Sequence, residues 1–550
     1  MRGIFTIIIG GKAGQGIRKA GYAIAELFNQ MGRSVFQMDD YPSLIKGGHN
    51  FSVISTSLGE IRSHYMKADL VVALDQRSYE LHKEHTARDG IIVTDEGIQG
   101  NGINIPIMEE AKKYKNAELI SGISTIAILC ATTGINKEDM GKFIERNYKS
   151  NLEDNISYAL KIYDIAIKRI GVKFTLQRGK EKRKLLTGNE AIALGAYTAG
   201  LDVYIAYPMT PSTSILHFFA ENAKKLGIAV MQAENEIAVA NMAIGSTFAG
   251  AKTMVGSSGG GFALMQEAFS MAGMVGAPVL FVLSSRPGPS TGVPTYTEQA
   301  DLYFALNQGH GEFPRIVASP GSIEEAFYLA GDMLNLVWKF QTPGVLMTDK
   351  HISESRMNVD LILERIKEVK PLLYKNKNYK RYAITEDGIS PLLFPPSEEI
   401  IKWNSYEHDE NGITTEKPEM IEKMHDKRLR KMESLVKEMK KIHTINEYGN
   451  GDSIIFTFGS TTMSVVETIE NYGIDAKVVQ PIYLEPFPTW EIEKYKGRKS
   501  MVIEQNSTGQ FARLLMEKTG IKAESLKKYD GRPFDVEWLA EMIRRWLNEG

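Results

Sequence analysis

The sequence predicts an α/β protein made of three parallel-sheet α/β domains. Short apolar runs of strand length recur along the chain and alternate with segments of helical spacing. The turns that follow the strands are rich in glycine, serine, threonine and proline. The chain has 550 residues, which at roughly 150 per domain gives about three to four domains.

Residues 1–172 read as the first domain. IFTIII (4–9) is a continuous apolar run, as expected of a strand buried on both faces. A glycine turn follows, and then Ile17, Ala20, Ile24 and Phe28 recur at helical spacing. SVFQM (34–38), LVVAL (70–74) and GIIVTD (90–95) repeat the strand pattern, which predicts a mainly parallel sheet. Residues 173–186, KFTLQRGKEKRKLL, are basic and without periodicity, so they read as a solvated interdomain linker. The second domain, 187–359, opens on TGNEAIALGAYTAG, a capped helix. It continues through DVYIAYPMTPST, AKTMVGSSGGG, APVLFVLSSRPGPSTG and TPGVLMTD, with its loops on the carboxyl edge of the sheet, where ligands usually bind. Residues 360–448 are polar and Lys/Glu-rich, predicting an irregular extension and a solvent-facing helix over 420–442. The third compact region, 449–550, has strands SIIFTFG, AKVVQPIYL and SMVIEQ and a closing helix, VEWLAEMIRRWL.

Composition excludes several functions. With 65 Lys+Arg against 67 Asp+Glu, the net charge of −2 leaves no bulk positive charge for nucleic acid and no polybasic membrane anchor. No run of 18 apolar residues predicts a membrane span. The first residues read as a buried strand without a cleavage signal, so the expected compartment is the cytoplasm. The one cysteine, Cys130, excludes an intrachain disulfide and an iron–sulfur cluster held by this chain alone. It lies in AILCATTG and reads as a small core residue. Neither HExxH nor GxxxxGK[ST] occurs.

Six segments contain residue types that could carry chemistry. GGKAGQG (10–16) opens a helix, as a tight turn or a contact for a phosphate-bearing ligand. Its spacing departs from the dinucleotide fingerprint, although Asp39 could stand in for a ribose-binding carboxylate. In YPMTPST (207–213), Thr210 suits an N-cap and Pro211 the first helical position, with the Thr210 and Thr213 hydroxyls available to an oxygen-rich ligand. AENEIAVANMAIGS (233–246) places Glu234 and Glu236 before a small-residue helix, as surface acids or a buried proton handler. SSRPGPSTGVPTYTEQAD (284–301) is a proline-stiffened loop in which Arg286 offers a planar fork to a carboxylate and Ser290, Thr291 and Thr295 offer hydroxyls. YPSLIKGGHN (41–50) presents Lys46 before two glycines. EHDENG (407–412) has metal-ligating residue types, but adjacent in sequence and hard to converge on one ion.

Together these strings resemble the 2-oxoacid:ferredoxin oxidoreductases, and specifically the large subunit in which a gamma-type domain is fused ahead of the alpha chain. GGKAGQG and KGGHN resemble the gamma part. GNEAIALGA, YPMTPST, ENEIAVANMAIGS, SSGGGFALMQEA, GPSTGVPTYTEQADL and GHGEFPR resemble the thiamine-pyrimidine-type domain. YKRYAITEDGISP, EHDENG, EQNSTGQFARLL and KYDGRPF resemble the later parts, which end in a transketolase C-terminal-like domain.

The resemblance implies CoA-dependent oxidative decarboxylation of a 2-oxoacid to acyl-CoA, using thiamine diphosphate and passing electrons to ferredoxin. It implies a beta subunit that holds the diphosphate, magnesium and an iron–sulfur cluster, in a dimer or a dimer of heterodimers. Glu236 matches the glutamate that hydrogen-bonds the cofactor's pyrimidine nitrogen, a catalytic acid–base role. Thr210 resembles the threonine near substrate and cofactor, and Arg286 and Thr295 resemble the loop residues that fix the 2-oxoacid. Lys46 resembles the lysine facing the far end of the substrate, which suits 2-oxoglutarate or a broad range. A pyruvate- or 2-oxoisovalerate-preferring enzyme is the alternative. The chain lacks the GDG through which thiamine enzymes commonly bind diphosphate and magnesium, which argues against a self-sufficient enzyme. Retention of Glu236, Thr210 and Arg286 together argues against a non-catalytic assembly protein. Met209, FPPSEE, GSTTMS and ELISGISTIAIL depart from the family's usual strings, and the last bears on side-chain preference.

Overall fold

The computed structural model describes residues 3–42, 48–180 and 182–549. Three sheets organise the chain, covered by helices as an α/β fold requires. The first has eight strands, in the order Ile103–Ile105, Thr86–Asp95, Ala68–Ala73, Phe5–Lys12, His49–Ser57, Ser34–Asp40, Arg356–Val359, Lys184–Thr187. Its first four are parallel and the rest pair antiparallel. The mixed half includes His49–Ser57, whose HNFSVISTS alternates hydroxyls with apolar residues rather than running apolar throughout. Cys130 lies in the wholly buried helix Ile123–Thr133, where burial pushes its thiol up to about 12.

The segment 173–186 is not a free tether. The amides of Lys173 and Phe174 donate to the Thr132 carbonyl, that of Gly179 donates to Met31 O, and Arg33 Nη1 donates to Gln177 O. Its end enters the edge strand Lys184–Thr187 of the first sheet. A charged, aperiodic string conceals such docking because its partners are backbone groups, which do not depend on residue type.

The second sheet runs Tyr483–Glu485, Ile316–Ala318, Gly344–Asp349, Val279–Ser285, Thr253–Ser257, Val203–Ala206, Ala229–Gln232. All but Tyr483–Glu485 are parallel, and that strand comes from the third region. The third sheet has five strands, parallel apart from the edge strand Ile445–Tyr448. Between the second and third regions the chain is irregular until the helix Pro418–Met439. That helix is exposed on one face and buries Met424, Leu435 and Met439 on the other, so it is half-docked rather than solvent-facing. No helix among the described residues is long and apolar enough to cross a membrane.

The expected capped helix is present at Gly188–Thr198. Thr187 accepts from the Glu190 amide, and the Glu190 carboxylate accepts from the Thr187 amide. It crosses the helix Ile323–Phe340 at Gly195, where a Cβ would lie 1.9 Å from the Phe327 carbonyl oxygen. Only a glycine permits that approach, so Gly195→Ala must push the two helices apart. We expect it to destabilise the protein by about 1–3 kcal/mol despite alanine's better helix propensity, read as a lowered midpoint in thermal denaturation; an unchanged midpoint would refute the tight crossing.

Candidate active site

Four neighbouring parallel strands of the second sheet end at Ala206, Ser257, Ser285 and Asp349. The loops beyond them carry most of the predicted residues, at the edge where such sheets bind ligands. Glu236 is the first residue of the helix Glu236–Phe248, whose N-cap, Asn235, accepts from the Ala238 amide. Glu236 is 2% exposed, whereas Glu234 faces solvent, so the two acids have different environments. Ser257 Oγ donates to Glu236 Oε1 at 3.1 Å and also lies 3.7 Å from Met209 Sδ. A Cβ at Gly261 would sit 2.2 Å from Glu236 Oε1 and 2.0 Å from Ser257 Oγ. The glycine run of SSGGG thus lets the helix Gly259–Leu264 close directly over the carboxylate.

Thr210 is not the N-cap that its sequence suggests. The helix begins at Thr213, after a turn in which the Ser212 amide and hydroxyl both donate to Met209 O. The Thr210 carbonyl instead accepts from Arg286 Nη1 at 2.7 Å. Glu236, Ser257, Met209, Thr210 and Arg286 therefore form one connected series of contacts, which brings the three residues of the predicted catalytic set together. Burial lowers the Arg286 guanidinium, opposed by nearby Asp301, and pushes the Asp301 carboxyl up. Glu298 is pushed up to about 6 by burial and by Asp301.

Thr295 stands apart from that series. It lines a small cavity with Asp40, Tyr296, Lys350, His351 and Arg532, where all three regions meet. Its hydroxyl is buried without a hydrogen-bond partner among the described residues, as are those of Ser258 and Tyr204. Unmet hydroxyls of this kind are costly unless a ligand or water completes them. Ser290 and Thr291 are exposed. Lys46 lies outside the described residues.

Sequence reasoning missed what holds the loop 284–301. The Gln299 amide donates to Gln505 O at 2.7 Å, its side chain donates to Phe458 O and accepts from Thr461 Oγ1, and the Thr297 amide donates to Gly531 O. Asp349 is fully buried and caps the helix that follows it through the His351 and Ile352 amides. The GSTTMS and YDGRP strings are thus the loop's anchors in the third region. No signal in the loop's own sequence marks Gln299, because its partners are more than 150 residues away.

Other candidates are committed elsewhere. Gln15 Oε1 accepts from the Lys12 amide at 2.7 Å, which makes the glycine loop a self-satisfied turn. Asp39 is buried and accepts from Gln37 and Ser52, so it cannot serve as a ribose-binding acid. In EHDENG, Glu407 pairs with Arg428, Asp409 accepts from the Asn411 and Ile413 amides, and Glu410 accepts from the Ile384 amide. Among the described residues no group of three or more His, Cys, Asp or Glu is placed to hold a metal ion. A cavity of ≈ 810 Å³ lies elsewhere, lined by Arg62, Tyr328, Asp332 and Tyr448 among others, and contains none of the predicted residues.

Residues 194–427 match the family described as "Pyruvate flavodoxin/ferredoxin oxidoreductase, thiamine diP-bdg", and residues 6–165 match "Pyruvate ferredoxin/flavodoxin oxidoreductase". The 2-oxoacid:ferredoxin oxidoreductase subunit alpha of Saccharolobus solfataricus is 30% identical over 99% of this chain and 98% of its own. The chain belongs to this alpha-subunit family. It is a subunit of an oxidoreductase that acts on 2-oxoacids with ferredoxin as acceptor. A second relative, subunit alpha of 2-oxoacid:ferredoxin oxidoreductase 2 of Aeropyrum pernix, is also 30% identical over 99% of the chain. Among solved structures, the 2-oxoglutarate:ferredoxin oxidoreductase from Magnetococcus marinus, with 2-oxoglutarate, coenzyme A and succinyl-CoA bound, matches with a TM-score of 0.91. It is 28% identical, and the match covers 99% of both chains.

The glycine contact over Glu236 yields a direct expectation. Gly261→Ala must displace the Glu236 carboxylate and Ser257 Oγ, and for a reacting group a misplacement of about 1 Å costs on the order of 10²-fold in rate. Viologen-linked turnover by the folded variant should therefore fall by about that factor, beyond the modest drop in unfolding midpoint that overpacking brings. Wild-type turnover would show that the close approach does not position Glu236.

Proposed function

We propose that this alpha subunit takes part in CoA-dependent oxidative decarboxylation with 2-oxoglutarate, or a broad range of 2-oxoacids, and is active only with a beta-type subunit. The balanced reaction converts a 2-oxoacid anion, CoA thiol and two oxidised ferredoxins into acyl-CoA, carbon dioxide, two reduced ferredoxins and one proton. The observation that carries this reading is the buried Glu236 carboxylate beneath a glycine-lined helix on an edge whose neighbours are exposed apolar side chains. Tyr207, Met231, Ile237 and Leu264 are each between 38% and 52% exposed. Such a patch beside a buried acid fits half of a shared site.

The residues present suit thiamine diphosphate. Glu236 would hold its pyrimidine ring, with Gly261 admitting the carboxylate against its helix and the unmet Ser258 hydroxyl in the same glycine-rich segment. When bound, the cofactor supplies an acidic carbon that adds to the substrate ketone and accepts the charge left by carbon dioxide. Glu236, which accepts from Ser257, would share a proton with a ring nitrogen of the bound cofactor. Arg286, fixed by the Thr210 carbonyl, presents its remaining donors to the substrate carboxylate. Thr295 offers its unmet hydroxyl to the substrate's oxygens. Lys46 lies between Pro42 and Gly48 in sequence, close after Asp40, and its ammonium would read a distal carboxylate. Magnesium, the diphosphate and the iron–sulfur cluster fall to the beta subunit, since a single cysteine cannot ligate a cluster.

Co-expression with a beta subunit, followed by CoA-dependent viologen reduction with 2-oxoglutarate, pyruvate and 2-oxoisovalerate, tests this reading. No reduction by a complex shown to contain cluster and thiamine diphosphate would sink it. In that complex Glu236→Ala should assemble normally and lose about 10²–10⁴-fold in turnover, the usual worth of a positioned acid–base group. Lys46→Ile should lower kcat/KM for 2-oxoglutarate by roughly 10–100-fold, the worth of a charged hydrogen bond, and leave pyruvate nearly unchanged. Equal losses with both acids would show that Lys46 does not read the distal carboxylate.

A further inference from the structure

The helix Pro418–Met439 and the extension before it take no part in the candidate active site, yet they bury an unusual set of charges. The buried face of the helix includes Lys427, Arg428 and Lys431. Lys427 and Lys431 are four residues apart, so their side chains emerge on one face. Arg381 of the extension joins them and is 2% exposed. Four cations thus share one interior with a single paired carboxylate, Glu407, whose oxygens accept from Arg428 at 2.8 and 2.9 Å and face His425 at 3.2 Å. Asp387 is exposed and accepts from the Ile389 amide.

The other acceptors are the Gln341 side chain, whose Oε1 accepts from Arg381 Nη1 at 3.1 Å, and backbone carbonyls, most of them at helix ends. Arg381 Nη2 donates to Val275 O and Gly276 O, at the end of the helix Gln266–Val275. Lys431 Nζ donates to Gln341 O at 2.7 Å, at the end of the helix Ile323–Phe340. Lys427 Nζ donates to Gly388 O at 3.0 Å. Carbonyl ends of helices carry partial negative charge, which makes them natural partners for cations. They do not balance the account of donors. An ammonium has three N–H groups, and each lysine has one hydrogen-bonded acceptor among the described residues. Arg381 Nε is buried with none. Burial among like charges pushes the Lys427 amine down to about 7 and lowers Lys431 well below its ordinary value.

These donors surround a cavity of ≈ 20 Å³ lined by Gly276, Arg381, Tyr382, His408, Lys427 and Lys431. That volume admits one water-sized body. A Cβ at Gly276 would lie 3.0 Å from Arg381 Nη2 and 3.3 Å from Lys431 Nζ, so the glycine leaves the space between them open. We propose that this cavity binds one small monovalent anion, chloride, between Lys431, Lys427 and Arg381. The anion supplies the missing acceptor and counter-charge. It clamps the extension and its helix onto the ends of two helices of the second domain.

Bromide tests this in the assembled protein, because it scatters anomalously and matches chloride in charge. Crystals grown in bromide should show one anomalous peak within hydrogen-bond reach of Lys431 Nζ. At equal ionic strength and pH, the unfolding midpoint in sodium chloride should exceed that in sodium gluconate by ~1–3 °C. Lys431→Met should abolish that difference, and Lys427→Gln should shrink it if the first variant fails to fold. A cavity holding water without bromide, or equal midpoints in the two salts for the unmodified protein, overturns the proposal.

Discussion

Asp39 ties the first sheet to the carboxyl edge of the second. It ends a strand of the first sheet, accepts from Gln37 and Ser52 of that sheet, and faces Arg18 and Arg356 at 3.7 Å. Its carbonyl accepts from Lys350, which follows the last parallel strand entering the carboxyl edge of the second sheet. The backbone carbonyl thus joins the ends of two sheets, while the carboxylate organises side chains around the first sheet. An interior network of this kind is marginal in net stabilisation but costs several kcal/mol to break from one side, so it fixes geometry more than it adds stability. Gly48 meets Pro42 so closely that a Cβ would come within 2.0 Å of its ring.

What the sequence revealed follows how local each constraint is. Buried parallel strands were legible because both their faces must be apolar, and the Thr187 cap was legible because its partner is three residues away. The strand His49–Ser57 was not, since its hydroxyls hydrogen-bond within the sheet rather than marking a solvent face. Nor was the joining of Arg356–Val359 to Ser34–Asp40, which pairs residues more than 300 apart. Sheet membership at that range leaves no periodic trace.

The candidate site divides the same way. The types and spacing of Glu236, Thr210 and Arg286 were readable, but their roles in the architecture were not: Thr210 serves through its carbonyl, not its hydroxyl as a cap. The anchoring of the loop by Gln299 and the burial that raises Asp301 arise from elements brought together only by folding. The near-neutral net charge acquires a physical meaning here. Buried cations are placed against specific acceptors, Arg286 on a carbonyl and Lys431 on a helix end.

The second sheet finishes on Ala229–Gln232, a strand with Met231 47% exposed and no neighbour on its outer side among the described residues. A bare strand edge is a template for pairing with whatever strand arrives first. During biosynthesis this leaves the chain open to self-association until the edge is covered. Covering that edge is therefore a requirement of the fold itself, quite apart from the needs of catalysis.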